Sequence, residues 1–244
     1  MFVIAIPSYN RIKILKTHTL KFLAKHSVAL ENIFIFVAPD NYEEYCEAFP
    51  EYQVIKGKSG LREQRNYIAS YFPEHTHVLS MDDDIKDLII RQNNRLNALE
   101  DFETIIDDCF SDTKKNNAHL FGFYPVMNKF FMKDSITTDF RFIIGSCYGF
   151  IVSDPPLLIS IKQKEDYELS ILHFLRDNIV LRYNYITIKS NYYKTKGGLQ
   201  SFSNRLEEQN ESVDYLIQTY PSYFAKKKSF KSGFPELRVI TKKR

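Results

Sequence analysis

Apolar, β-branched runs alternate with helical periodicity through the first 85 residues. Phe2 to Ile6 is continuously apolar, the pattern of a strand buried on both faces, and Pro7-Ser8-Tyr9-Asn10-Arg11 ends it with turn chemistry. Ile14, Leu15, Leu20, Phe22 and Leu23 recur at helical spacing and predict a helix over Ile12 to Lys25. Ile33 to Val37 is a second buried strand, stopped by Ala38-Pro39-Asp40-Asn41. A short helix over Tyr42 to Phe49, a strand over Tyr52 to Ile55 and a Gly/Lys loop at 56–60 follow. A helix over Leu61 to Tyr71 then leads to a fourth strand over His77 to Met81. Strands and helices in this rhythm imply right-handed βαβ units on a mostly parallel sheet.

The second half is less regular. Leu96 to Phe110 reads as an acidic amphipathic helix and His119 to Val126 as a strand. Phe140 to Ile144 and Tyr148 to Val152 read as strands around Gly145-Ser146-Cys147, and Asp154-Pro155-Pro156 as a turn. A helix over Asp166 to Asn178, a strand over Val180 to Ile188, a polar loop over Asn191 to Gly198 and a helix over Val213 to Thr219 complete the pattern. The expectation is one α/β domain with a mixed, mostly parallel twisted sheet and flanking helices. Within it, 1–90 forms a nucleotide-binding half, 91–225 an acceptor half and 226–244 a basic tail.

Length and charge narrow the partners. A chain of 244 residues buries a proper core. Between Lys226 and Arg244 eight basic residues face one acidic residue, a local +7, so against a whole-chain +3 the preceding 225 residues carry −4. Cys46, Cys109 and Cys147 are odd in number and widely spaced, with no zinc-type Cys/His pairing, which fits a reducing cytosol. The apolar N-terminus lacks a basic n-region, and no apolar run approaches membrane-spanning length. The expected compartment is the cytoplasm, that of the host if the chain is phage-encoded. Oligomeric state is not legible.

The chemistry concentrates where the fourth strand runs into Asp82-Asp83-Asp84. Three adjacent carboxylates repel one another, and a hard divalent cation, which prefers oxygen ligands, relieves that. In open α/β sheets the carboxyl ends of strands are where ligands bind. The alternative is an acidic turn capping the next helix. Lys58, Arg62, Arg65 and Asn66 form a second cluster, spaced to share one broad helix face behind a Gly-containing loop, as suits a phosphate. The alternative there is a solvated face partnered by Glu51 and Glu63.

The order of Pro-Ser-Tyr-Asn-Arg, Gly-Leu-Arg-Glu-Gln-Arg-Asn and then strand plus Asp-Asp-Asp resembles nucleotide-sugar glycosyltransferases of the GT-A fold over about the first 90 residues. The resemblance implies a UDP-sugar donor and Mn²⁺ or Mg²⁺. Residue by residue, it implies Asp84 on the metal and Asp82 on the metal or the ribose, with Asp83 able to exchange roles. Pro7, Tyr9, Arg11 and Asp40 would line the nucleotide, and Arg65 and Asn66 the nucleotide or donor sugar. Lys164-Glu165-Asp166 resembles the acidic motif that supplies the catalytic base in inverting members. Asp166 is the first choice for that base and Glu165 the second, the alternative being an acidic first helical turn. His173 falls on the same helix face as Asp166, and a satisfied structural histidine is the simpler reading.

Lys196, Gly197 and Gly198 make a Lys-x-Gly-Gly loop able to form an anion nest over a diphosphate, or simply a turn. Lys226, Lys227, Lys228 and Lys231 suit a nucleic-acid backbone or an anionic membrane. A short GT-A core, this loop and a basic end together resemble the phage and TET/JBP-associated transferases that glycosylate hydroxymethylated pyrimidines. The implied function is transfer of a hexose, glucose first, from a UDP-sugar to double-stranded modified DNA or to a sugar already on it. Two other readings stand beside it: transfer to a surface glycan or lipid-linked saccharide, and a non-catalytic nucleic-acid-binding module.

Overall fold

In chain order the elements are β1 (Val3–Ser8), α1 (Ile12–Thr17), α2 (Thr19–Lys25), β2 (Ile33–Val37), α3 (Tyr42–Ala48), β3 (Gln53–Lys56), α4 (Leu61–Tyr71) and β4 (His77–Met81). They continue with β5 (Ile85–Gln92), β6 (Arg95–Ala98), α5 (Phe102–Lys115), β7 (Leu120–Tyr124), β8 (Ile136–Thr137), β9 (Cys147–Ile151) and α6 (Glu165–Asp177). The last are β10 (Leu181–Ser190), α7 (Arg205–Thr219), β11 (Phe224–Lys226) and β12 (Leu237–Val239). The structure is a computed structural model and describes residues 1–190, 205–227 and 234–240.

One mixed sheet runs in the order β3-β2-β1-β4-β9-β7-β10-β5-β6, with β8 also on β10. β3, β2, β1 and β4 are parallel. β9 is antiparallel to both β4 and β7, so β7 runs in the direction of β4, and β10 follows β7 in parallel. The loops after β1, β4 and β7 therefore leave the same edge of the sheet. Along β1 alternate residues enter opposite cores: Ile4 and Ile6 pack with Leu15, Phe22 and Leu23, whereas Ala5 packs with Phe36, Ile68 and Val78. A third cluster seats Val213 and Leu216 of α7, with Phe224 and Leu237, against Ile171 of α6.

The first four predicted strands and the helix over Leu61 to Tyr71 are all present. The helix predicted over Ile12 to Lys25 breaks at His18 (φ −119°, ψ −90°), which turns Thr19 inward. The predicted helix over Leu96 to Phe110 starts only at Phe102, because its first residues belong to β6. β5 and β6 form a hairpin that the charged residues around Leu88-Ile89-Ile90 obscured; its turn is Asn93-Asn94, both with positive φ (49° and 58°), as a two-residue hairpin loop requires. The predicted strand at Phe140 to Ile144 is not a strand: the Ile143 N–H donates to the Ser170 hydroxyl (2.9 Å) instead of to a ladder.

Candidate functional site

The acidic turn after β4 is held from both sides by groups distant in sequence. The Asp82 N–H donates to the Ser146 carbonyl (2.8 Å). The buried Thr19 hydroxyl donates to the Asp82 carbonyl (2.7 Å) and accepts the Ile85 N–H (3.0 Å). Asp83 points inward, accepting from the Ser8 hydroxyl (2.7 Å) and from Arg11 Nη1 (3.1 Å). Burial pushes its carboxyl up to about 7, against the pull of Arg11 and Ser8. The Tyr45 hydroxyl completes this knot, 2.8 Å from Ser8 Oγ and accepting the Arg11 N–H (2.9 Å). Asp83 and Arg11 therefore tie the end of β1 to the turn, so the side chain expected on the donor is engaged within the protein.

Asp82 and Asp84 stand outside the Ser8–Arg11–Tyr45 knot. Desolvation raises both above the ordinary aspartate range. Arg65 draws Asp82 back and the charge of Asp84 pushes it up again, while Arg11 draws Asp84 back.

Arg65 joins this turn to α6. Only 7% exposed, it places Nη2 3.2 Å from Asp82 Oδ1 and donates to the Gly145 carbonyl (2.9 Å), while Nε lies 3.4 Å from Glu165 Oε1. Its guanidinium also sits over the Tyr148 ring, 5.6 Å from the centroid. Burial works against its charge, but Tyr148, Asp82 and Glu165 more than offset that and hold it protonated. Glu165 is pushed up to about 7 by burial and then by Asp166, with Arg65 opposing. Asp166 is also raised by burial, but accepts N–H groups from Gly145 (3.3 Å) and Tyr167 (3.0 Å), which favour its charge. Three of the sequence clusters thus meet around one guanidinium. Behind it a water-sized cavity of about 30 Å³ extends between α4, β9 and α6.

The remaining candidates separate. Tyr9 and Asp40 meet at the carboxyl ends of β1 and β2, the tyrosine hydroxyl donating across 3.2 Å. Pro7 lies within β1 beside Phe36. Lys58 does not share the helix with Arg62, Arg65 and Asn66, because α4 begins at Leu61 after Gly60 with φ of 93°; its ammonium sits over Tyr67 instead. Asn66 is a clamp: its amide donates to the Ile159 carbonyl (2.8 Å) and accepts the Ile159 N–H (2.9 Å). Arg62 donates to the Ser160 carbonyl (2.8 Å) and pairs with Glu63. His173 is a satisfied core residue beside Arg176, its pKa lowered to about 3 by burial. Lys226 ends β11, and Lys227 pairs with Glu236 (2.7 Å). Lys196, Gly197, Gly198, Lys228 and Lys231 lie outside the described residues.

Sequence reasoning missed Ser8, Thr19, Tyr45, Tyr148 and Glu168. Glu168, 2% exposed, accepts from the Ser160 N–H (2.6 Å), the Ser160 hydroxyl (2.6 Å) and the Ile161 N–H (3.0 Å). Ser8 lies inside the Pro-Ser-Tyr-Asn-Arg motif without having been singled out in it, and the other four stand in no readable motif; a polar residue beside an apolar run is the signal for Ser8 and Thr19.

Known structures share this architecture. S. aureus TarS 1–349 superposes with a TM-score of 0.54 at 14% identity, covering 88% of this chain and 65% of that one. TarS 1–349 in complex with UDP gives 0.54 at 15% identity, over 91% and 82%. The mannosyltransferase PcManGT from Pyrobaculum calidifontis, in complex with GDP-Man and Mn²⁺, gives 0.53 at 9% identity, over 90% and 64%. The fold is GT-A-like. Such identities establish a shared GT-A architecture, and the chain spans under two thirds of the first of these proteins. No family model matches the sequence, and no curated protein matches it.

The acidic turn offers a divalent ion only part of a ligand set. Among the described residues no group of three or more His, Cys, Asp or Glu is placed to hold an ion. Asp82 and Asp84 supply two oxygen-bearing side chains that repel each other, and Mg²⁺-type sites often use one or two carboxylates plus phosphate oxygens and water.

Proposed function

We propose that this chain is a nucleotide-sugar glycosyltransferase that moves a hexose, with inversion, from a UDP-sugar to an acceptor hydroxyl. The observation that carries the reading is Arg65, which brings Asp82 of the acidic turn and Glu165 of the α6 start into one buried polar cluster. Asp166, with Glu165 as second choice, takes the acceptor hydroxyl proton. The acceptor oxygen bonds to the anomeric carbon as the bond from that carbon to the diphosphate oxygen breaks, and UDP leaves. Asp82 and Asp84 would hold Mn²⁺ or Mg²⁺, which supplies charge neutralisation for the departing diphosphate. Tyr9 and Asp40, at the ends of β1 and β2, line the nucleotide. The neighbours solved with UDP and with GDP-Man and Mn²⁺ share the fold on which this reading is built.

For the acceptor, the resemblance points to a hydroxymethylpyrimidine in double-stranded DNA. The second reading is a saccharide carried at a membrane surface, favoured by an exposed apolar loop after β7. A UDP-sugar panel read by thermal shift, with and without Mn²⁺, tests the donor. Mass increments on hydroxymethylated duplex and on saccharide acceptors then separate the two. Absence of any metal-dependent stabilisation or donor hydrolysis overturns the enzyme reading in favour of a binding module.

A further inference from the structure

The loop between β7 and β8 presents apolar side chains to solvent in a fixed arrangement. Phe130 is 82% exposed, Phe131 63%, Val126 54% and Met127 48%. A loose loop would not hold them so. Asn128 accepts the Phe130 N–H on its side chain (3.0 Å) and the Phe131 and Met132 N–H groups on its carbonyl (both 3.1 Å). Met132 is buried beneath the tip, and the Lys133 N–H donates to the Asn184 carbonyl (3.1 Å), which fastens the return to β10. Arg91 Nε donates to the Lys129 carbonyl (3.3 Å), joining the loop to the β5–β6 hairpin. Contiguous exposed apolar surface of this kind marks an interaction site.

Its border is cationic. Lys129 sits over the Phe130 ring (5.3 Å), Arg91 bonds the loop at the Lys129 carbonyl, and Lys133 follows in the loop itself, against Asp134 as the acidic residue of the loop. Aromatic and aliphatic side chains that enter an acyl layer, ringed by lysine and arginine that stay among anionic headgroups, have the chemistry of an interfacial membrane anchor.

We propose that the 126–133 loop docks this protein onto an anionic lipid surface, with Phe130 and Phe131 inserted. β7 runs in the direction of β4, two positions away in the sheet, so the loop leaves the edge that carries the acidic turn, about 10 Å across. Docking would present the face bearing Asp82 and Asp84 to the membrane. That deepens the saccharide reading of the acceptor, on which its functional meaning rests, while the docking itself is read without donor, metal or acceptor.

The chain contains no tryptophan, so Phe130→Trp makes a single-tryptophan reporter, excited selectively over the 16 tyrosines. With vesicles of phosphatidylcholine mixed with phosphatidylglycerol, its emission shifts to the blue and intensifies. Phe130→Ser with Phe131→Ser, folded by thermal melt, weakens co-sedimentation with these vesicles by at least about tenfold. Lys129→Glu with Lys133→Glu weakens it several-fold and lowers its salt dependence. No shift and no co-sedimentation overturns the proposal, as does binding to DNA that depends on the phenylalanines without vesicle binding. A blue shift that appears in buffer and grows with protein concentration overturns it in favour of a second copy of the chain.

Discussion

Nε of Arg65 lies 3.4 Å from Glu165 Oε1, while Nη2 of the same guanidinium lies 3.2 Å from Asp82 Oδ1. One cation thus compensates two carboxylates that arrive from the end of β4 and the start of α6. Removing it leaves both without their partner, Glu165 almost wholly buried and Asp82 with 35% of its side chain exposed, so the larger part of the cost falls on Glu165. Arg65→Met should cost about 3–5 kcal/mol of stability by urea titration. Arg65→Lys keeps the charge but not the fork, and should recover part of that loss and little activity. An Arg65→Met protein as stable as wild type would mean that the cluster is not held by this pair.

Asp84 should show the opposite balance. Desolvation disfavours its ionised form, so Asp84→Asn should leave stability unchanged or raise it by up to roughly 1 kcal/mol. Metal-dependent donor hydrolysis should fall at least about a hundredfold in the same variant. Activity loss accompanied by a comparable loss of folding would instead make Asp84 structural.

The acidic pair at the start of α6 sets an expected pH profile. Glu165 is held at about 7 and Asp166 above its ordinary range, so the pair is still losing protons near neutrality. A base must be ionised to accept a proton; kcat/KM should therefore fall as pH drops through about 7. Glu165→Gln removes the like charge beside Asp166 and should move this limb to lower pH. A limb that stays in place excludes the pair as its origin.

His173 should impose a stability slope. Its folded pKa is about 3 against 6.5 for the free side chain, so between those values the unfolded chain binds a proton that the folded one does not. Its contribution is fully present above 6.5 and is lost as pH falls, by up to about 1.4 kcal/mol per pH unit. Glu165 and Asp83 act in the other direction: with folded pKa values raised to about 7, their contribution is present in acid and lost as pH rises through 7. On going from pH 7 to pH 5 the denaturant midpoint of His173→Gln should fall less, or rise more, than that of wild type, which isolates the histidine.

Asn66 separates clamp from ligand. Asn66→Ala unpins Ile159 and should cost about 1–3 kcal/mol, with the donor KM changed little. A large KM effect at unchanged stability would return Asn66 to the nucleotide-binding set.

β1, β2 and β4 were legible because buried parallel strands are near-continuous apolar runs bounded by turn residues, and the edge strand β3 from its β-branched Val54-Ile55 pair before a Gly/Lys loop. β5 was not, since Lys86, Asp87 and Arg91 interrupt its pattern and only Asn93-Asn94 announces the hairpin. The acidic turn and the Glu165-Asp166 pair stood out as consecutive charges. That Asp83 turns inward while its neighbours do not was unreadable, because Ser8, Arg11 and Tyr45 reach it from 75, 72 and, through Ser8, 37 positions away. Lys58 lies off the helix face expected for it because spacing alone does not reveal where Gly60 lets the helix begin, and the claim of the Ile159 backbone on the Asn66 amide was equally invisible.

Thr19 bonds the chain on either side of the acidic turn, at Asp82 and at Ile85. The turn therefore has its shape before any ligand reaches it, and little conformational freedom remains to be frozen on capture. Differences in affinity among sugar donors should accordingly arise from the groups they place against this rigid lip rather than from how readily each one moulds it.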